Sequence, residues 1–280
     1  MNRQMGDDEI WVMGSHGSHR RRLRPWVWWA LGLAAAALLV VAVILLRGRG
    51  MKKVGEAEPP AEPDAGWLLR GADTTSACIL HRSVEADSTT LHVYVPVKAT
   101  ARLCMGEPDT NDESILFATL AADLRRDNGR IVGAFVHNGE PLSWGLSKRG
   151  YCAIIDGKVT VGVAENSPLF EKATETGGDF FRQYAAVDSG RCVAKNPEYS
   201  AFRRALCVIG GRVCIVCSES RMTMNEFSSA LAGVGVSDGI FLVGGTADGW
   251  YRDGDGNVVR LGREAYRKNR FLNYLVFRRQ

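Results

Sequence analysis

Residues 205–217 read ALCVIGGRVCIVC, two short apolar runs joined at Gly210-Gly211. A glycine pair supplies the positive φ that a two-residue hairpin turn needs, so the stretch predicts two antiparallel strands rather than one long element. Residues 150–163, GYCAIIDGKVTVGV, repeat the arrangement around Asp156-Gly157, among the strongest short-range hairpin signals. The first hairpin also carries the only CxxC of the chain, Cys214 and Cys217. On a strand, a spacing of three puts the two thiols on opposite faces, so buried strand cysteines are expected there rather than a redox pair or half of a zinc site.

Downstream of the hairpin, Thr223 and Glu226 make a capping box ahead of MNEFSSALAGVGV, where Phe227, Leu231 and Val234 form an apolar stripe. IFLV (240–243) then reads as a buried strand leading into the loop GGTADG, RDGDGN as a further hairpin turn, and FLNYLVF as a β-rich end. The RDGDGN turn lacks the glycine and the twelfth-position glutamate of a calcium loop. Upstream, LHVYVPV places Leu91, Val93, Val95 and Val97 on one strand face, and Asn166-Ser167-Pro168 opens a short helix. RIVGAFV reads as a strand running into HNGEPL. DESILFATLAADLRRDNG (112–129) repeats Leu116, Leu120 and Leu124 at helical spacing and ends at Asn128-Gly129, which predicts a helix. Adjacent hairpins with interspersed helices and no regular βαβ repeat imply an α+β fold, a mixed, largely antiparallel sheet with a few packed helices.

That domain is expected over residues 66–280, after three other segments. Residues 1–24 are a basic polar tail; its GSHGSH (14–19) resembles a metal-binding or tag-like patch, with a solvated tail the simpler reading. Residues 25–46 contain the uncharged run WVWWALGLAAAALLVVAVILL, which at about 1.5 Å per residue reaches roughly 31 Å, enough for one transmembrane helix. Trp26, Trp28 and Trp29 suit the headgroup layer, and four basic residues on each side leave the orientation open. Residues 47–65, rich in Pro, Glu and Ala, form an extended stalk. The formal charge of +4 gathers around the span and leaves the domain near neutral, without the basic footprint of a nucleic-acid binder. Seven cysteines, an odd number, leave at least one without an intramolecular partner.

Several polar residues stand where sites are commonly built. His137 and Asn138 follow a strand beside Glu140. Arg182 lies between aromatics in DFFRQY, where burial would call for an anionic partner or ligand. Of Arg203 and Arg204, strand alternation turns one inward. Gly244, Gly245 and Thr246 open a loop that can bring backbone N–H groups near an anion, or simply turn tightly. Clustered arginines suit a phosphate or carboxylate, and equally suit surface ion pairs. No Walker loop, HExxH, GxSxG or dinucleotide fingerprint occurs, no residue is assigned to a metal, and no cofactor is identified.

In order, IVGAFVHNGEPLSWGL, GYCAIIDGKVTVG, AAVDSGRCV, the long segment from Phe202 to Val236 and GIFLVGGTADGWYRDGDGN resemble the phosphodiester glycosidase family over most of residues 130–260. Gly133 and Phe135 match the family's Gly-Phe loop, Ser189-Gly190 its Ser-Gly, Arg204 its arginine and Gly244-Gly245 its Gly-Gly. Val243 stands where many members have Asp, and Ile131 where many have Asn, marking a divergent branch. The resemblance implies hydrolysis of a sugar-phosphodiester bond in envelope or surface glycans by an extracytoplasmic, membrane-anchored domain. Asp248, Arg204, His137 and Glu140 would then be catalytic, and Asn138, Arg182, Ser189, Gly190, Gly244, Gly245 and Thr246 would contact substrate. The alternative is a non-catalytic glycan-binding or scaffold protein that keeps the fold.

Overall fold

The computed structural model describes residues 65–86, 89–194, 199–262 and 269–279, all within the compact unit Pro59–Gln280. The basic tail, the expected span at 25–46 and the stalk as far as residue 64 lie outside the described residues. Among the described residues no helix is long and apolar enough to cross a membrane.

Three sheets carry the domain, and every strand pairing among the described residues is antiparallel, which sharpens the expected mixed sheet. The largest has seven strands in the order β1 (Cys78–Ala86), β2 (Thr89–Val97), β13 (Arg212–Ser218), β12 (Arg204–Ile209), β14 (Val236–Phe241), β10 (Ala185–Asp188) and β11 (Arg191–Cys192). A five-stranded sheet runs β16 (Val258–Arg260), β15 (Gly249–Arg252), β4 (Ile115–Leu120), β17 (Asn273–Arg279) and β3 (Ala99–Met105). The other five-stranded sheet runs β6 (Glu140–Trp144), β5 (Ala134–His137), β9 (Asp179–Gln183), β7 (Gly150–Ile155) and β8 (Lys158–Val163). Helices α1 (Gly66–Leu69), α2 (Leu169–Thr176) and α3 (Met224–Gly233) complete the described elements.

Strand alternation sorts the large sheet into two cores. Leu91, Val93, Val95, Ala205, Cys207, Cys214 and Val216 face α3, packing with Phe227 and Leu231 and with Leu68 of α1. Tyr94, Leu206, Ile215 and Cys217 face the other way, onto Leu103, Phe117 and Leu275 of one smaller sheet and Phe135, Cys152 and Phe181 of the other. Cys214 and Cys217 therefore lie on opposite faces, as the spacing requires, and all seven cysteines are free. Burial pushes the Cys214 thiol up to about 12, which makes it a packing residue rather than a nucleophile.

Local turn signals are met. Gly210-Gly211 and Asp156-Gly157 have positive φ and close the β12–β13 and β7–β8 hairpins. Thr223 accepts from the Glu226 amide at 3.1 Å while Glu226 accepts from the Thr223 amide at 2.7 Å, the reciprocal cap of α3. The helix expected over 112–129 is not formed. Ile115–Leu120 is instead the central strand β4, buried at all six positions because β15 and β17 flank it and apolar clusters cover both faces. Asn128-Gly129 forms a turn rather than a helix stop: Arg125 N–H donates to Arg130 O, and an isolated bridge joins Leu124 to Ile131.

Candidate functional site

A cleft of about 880 Å³ opens where the chain leaves β4, β6 and β9. Its lining includes Asp123, Arg125, Arg126, Lys148, Tyr184 and Asn269. At its wall, Lys148 Nζ donates to Asp123 Oδ2 and, at 3.0 Å, to Gln183 Oε1, and lies 4.8 Å from the centre of the Tyr184 ring. The Lys148 side chain is 3% exposed and that of Asp123 38%, so the ammonium is buried while the carboxylate meets solvent. Burial lowers the Lys148 pKa, and the charge of Asp123 works against that shift. An ammonium has three N–H donors, of which two are used here.

The neighbouring chain holds this lysine in place. Lys148 has φ of 131°, a conformation that costs a side-chain-bearing residue roughly 1–3 kcal/mol and persists only when its surroundings enforce it. Arg182 enforces it: Nη1 donates to Lys148 O at 2.7 Å and Ala164 O at 2.9 Å, and Nη2 to Glu165 O at 2.8 Å. The protein partners of buried Arg182 are thus carbonyl oxygens where one expectation is an anionic side chain. Next along β9, Gln183 donates to Ala121 O at 3.1 Å and offers Oε1 to both Lys148 and the Tyr184 amide. Gly133 permits the close approach, since a Cβ there would meet the Arg182 Cβ at 3.1 Å.

Arg204 and Asp248 sit together, both buried, and neither lines this cleft. Arg204 is the inward member of its pair, as alternation requires, whereas Arg203 reaches Met222 O and Tyr199 O. Its Nη1 donates to Thr119 Oγ1 at 2.7 Å and meets the backbone oxygen of Asp248 at 3.4 Å. The Asp248 carboxylate turns elsewhere, accepting from Tyr274 Oη at 2.9 Å and from Arg260 Nη1 at 2.9 Å. Val243 lines a small apolar gap with Leu120, Ala122, Leu124, Leu272 and Asn273, and Leu124 is shared with the cleft. Ile131 is core, and Val132 beside it lines the cleft. Gly244 and Thr246 are exposed; Ala247 N–H donates to Gly244 O at 2.8 Å, closing a tight turn, and Gly245 packs on Phe202, donating to its carbonyl oxygen where a Cβ would meet the Phe202 Cβ at 2.8 Å.

His137 and Asn138 line a second cleft, with Arg102, Cys104 and Arg278. Asp179, 1% exposed, accepts from the Asn138 amide at 2.8 Å and the Leu103 amide at 2.9 Å, and lies 3.3 Å from His137 Nδ1. Burial alone would raise the Asp179 pKa, but the bonds from His137, Leu103 and Asn138 outweigh it and hold the carboxyl below its ordinary value. Asn138, at φ of 50°, turns the β5–β6 hairpin, and exposed Glu140 is the cross-strand partner of His137. Ser189-Gly190, with φ of 50° and 74°, is likewise the exposed turn of the β10–β11 hairpin. Arg204 and Asp248 thus adjoin one another, while His137, Glu140 and Asn138 form a separate group and Ser189-Gly190 lies at a hairpin tip. Sequence reasoning missed Asp123, Lys148, Gln183 and Tyr184; the only local hint was a lysine in the polar run SKRG between two strands. Among the described residues no group of three or more His, Cys, Asp or Glu is placed to hold a metal ion.

No family model matches the chain, and no curated protein matches it. Among solved structures it is similar to the catalytic domain of zebrafish N-acetylglucosamine-1-phosphodiester α-N-acetylglucosaminidase, auto-inhibited by its pro-peptide. That match has 11% identity and a TM-score of 0.50, covering 76% of this chain and 86% of that one. It is also similar to a hypothetical protein from Synechocystis at 14% identity and a TM-score of 0.52, covering 72% of this chain and 62% of that one. At such identities the likeness is one of fold: the chain folds like the catalytic domain of a phosphodiester glycosidase.

Proposed function

We propose that the chain is a membrane-anchored, extracytoplasmic hydrolase of a sugar-phosphodiester linkage in envelope or surface glycans, working in the Lys148 cleft. The observation that carries this reading is the Lys148–Asp123 pair on the wall of a polar cleft, in a fold shared with a phosphodiester glycosidase. The uncharged run at 26–46 supports the anchor.

Expelling a phosphate monoester needs less acid assistance than expelling an alcohol, so stabilising the departing charge matters most. The remaining N–H of Lys148, with Arg125 and Arg126 on the rim, receives the phosphate. The solvent-facing carboxylate of Asp123 takes a proton from the attacking water or supports the oxocarbenium-like carbon. Tyr184, 52% exposed, offers its ring to a sugar face. Water adds to the anomeric carbon as the sugar–oxygen bond breaks, giving free sugar and the phosphate monoester.

The test is hydrolysis of a panel of sugar phosphodiesters by the full-length chain and by Lys148→Met and Asp123→Asn, each checked for folding. The reading expects turnover by the parent and a loss of at least 100-fold in both variants. A second reading, a non-catalytic glycan binder, rests on the apolar burial of Val243 and Ile131, where the family resemblance leads one to expect polar side chains. Folded parent that binds a sugar phosphodiester without cleaving it selects that reading.

A further inference from the structure

Outside this cleft, two histidines meet on the edge of the seven-stranded sheet. β1 is an edge strand, and its register opposes His81 to Tyr94 and Ser83 to His92. His81 and His92 are therefore diagonal neighbours on one face, with His81 Nε2 and His92 Nδ1 3.1 Å apart and Ser83 Oγ 3.3 Å from the same His92 nitrogen. His81 stacks on Tyr94 with ring centres 4.8 Å apart and planes 8° from parallel, which braces the imidazole. His81 is exposed and His92 half-buried.

Without a cation, the short approach of two nitrogens is an N–H···N hydrogen bond with one proton between them. With metal–nitrogen distances of about 2.0–2.1 Å, a cation bridging a 3.1 Å span would subtend about 100°, between square-planar and tetrahedral angles. Two imidazoles suit Ni²⁺, Cu²⁺ or Zn²⁺ and not Mg²⁺ or Ca²⁺, which take oxygen ligands. Cys217 is the cross-strand partner of His92 on β13, but it is 9% exposed and belongs to the apolar cluster between the sheets.

We propose that His81 and His92 form a two-imidazole chelate for a borderline divalent cation such as Ni²⁺ or Zn²⁺, with water completing its shell, clipping edge strand β1 to β2. None of its residues lines the Lys148 cleft. The test is calorimetric titration of the full-length chain with Ni²⁺, using the His16→Gln/His19→Gln background to remove the N-terminal histidines. One ion per chain is expected, with the thermal midpoint rising on addition of Ni²⁺ because the ion binds only the folded state. His81→Gln and His92→Gln should each weaken binding at least tenfold and abolish the thermal shift, and Cys217→Ser should leave affinity within twofold. No uptake by the parent at millimolar Ni²⁺, uptake that survives the His81→Gln/His92→Gln pair, or loss of binding in Cys217→Ser would each overturn the two-imidazole site.

Discussion

Replacing Asp248 by Asn separates a structural strut from a catalytic carboxylate. Asp248 is fully buried and divides its two oxygens between the hydroxyl of buried Tyr274 and the guanidinium of Arg260. An amide serves both partners badly. Its oxygen can keep the Tyr274 bond, but its NH₂ then faces Arg260, donor to donor. The Arg260 side chain is 53% exposed, so it turns to water and its screened ion pair is worth only about 0.5 kcal/mol. The larger losses are the charge assistance in the Tyr274 bond, about 1 kcal/mol, and a buried NH₂ without an acceptor, about 1–2 kcal/mol. Together these destabilise the domain by roughly 3 kcal/mol, or about 10 °C in thermal midpoint for a domain of this size. Urea denaturation of the parent, Asp248→Asn, Tyr274→Phe and the double variant measures both the loss and the coupling. The single variants should be non-additive by about 1 kcal/mol, because Asp248→Asn weakens the bond that Tyr274→Phe removes. A stable Asp248→Asn protein, within about 0.5 kcal/mol of the parent, that loses hydrolysis would refute the strut and restore Asp248 to the chemistry.

The cleft and the Asp179 dyad yield two further expectations. Gly133→Ala sets a Cβ at φ of 89° and 3.1 Å from Arg182, so it should cost about 2 kcal/mol in urea unfolding and loosen the Lys148 loop that Arg182 holds; a neutral substitution would show that the loop does not depend on that contact. Asp179 has a folded pKa held below its ordinary value, so the stability it contributes is complete above the unfolded value of about 3.9 and vanishes as pH falls through the folded one. Stability measured from pH 7 to pH 2 should therefore show the gap between the parent and Asp179→Asn constant above about pH 5 and closing in acid, and a gap that stays constant to pH 2 contradicts the hydrogen-bonded carboxylate.

The parts of this fold legible in the sequence are those whose cause is local. Gly210-Gly211 and Asp156-Gly157 turn because two successive positive φ values are needed there, and Thr223 caps α3 through an amide three residues away. Leu91, Val93 and Val95 stand out because they form an unbroken apolar row toward α3 while the other face of β2 mixes His92 and Pro96 with Tyr94, and the same alternation sends Arg204 inward and leaves Arg203 at the surface. β4 defeats that reasoning: apolar packing covers both its faces, so ILFATL carries no period of two, and Leu116, Leu120 and Leu124 mimic a helical stripe. What distinguishes strand from helix here is β15 and β17, which pair with β4 from more than a hundred residues away. The cleft inherits the same illegibility. Asp123 follows that misread strand and Lys148 lies in a loop held by Arg182, so their contact exists only once β4 and β9 are both in place. A residue such as Asp248 stands out in the sequence because it is polar and follows a Gly-Gly loop, yet its neighbours on β17 and β16 absorb its charge. Lys148, unremarkable in SKRG, is left with a strained backbone, a buried ammonium and a donor to spare, which is where a ligand gains most from binding.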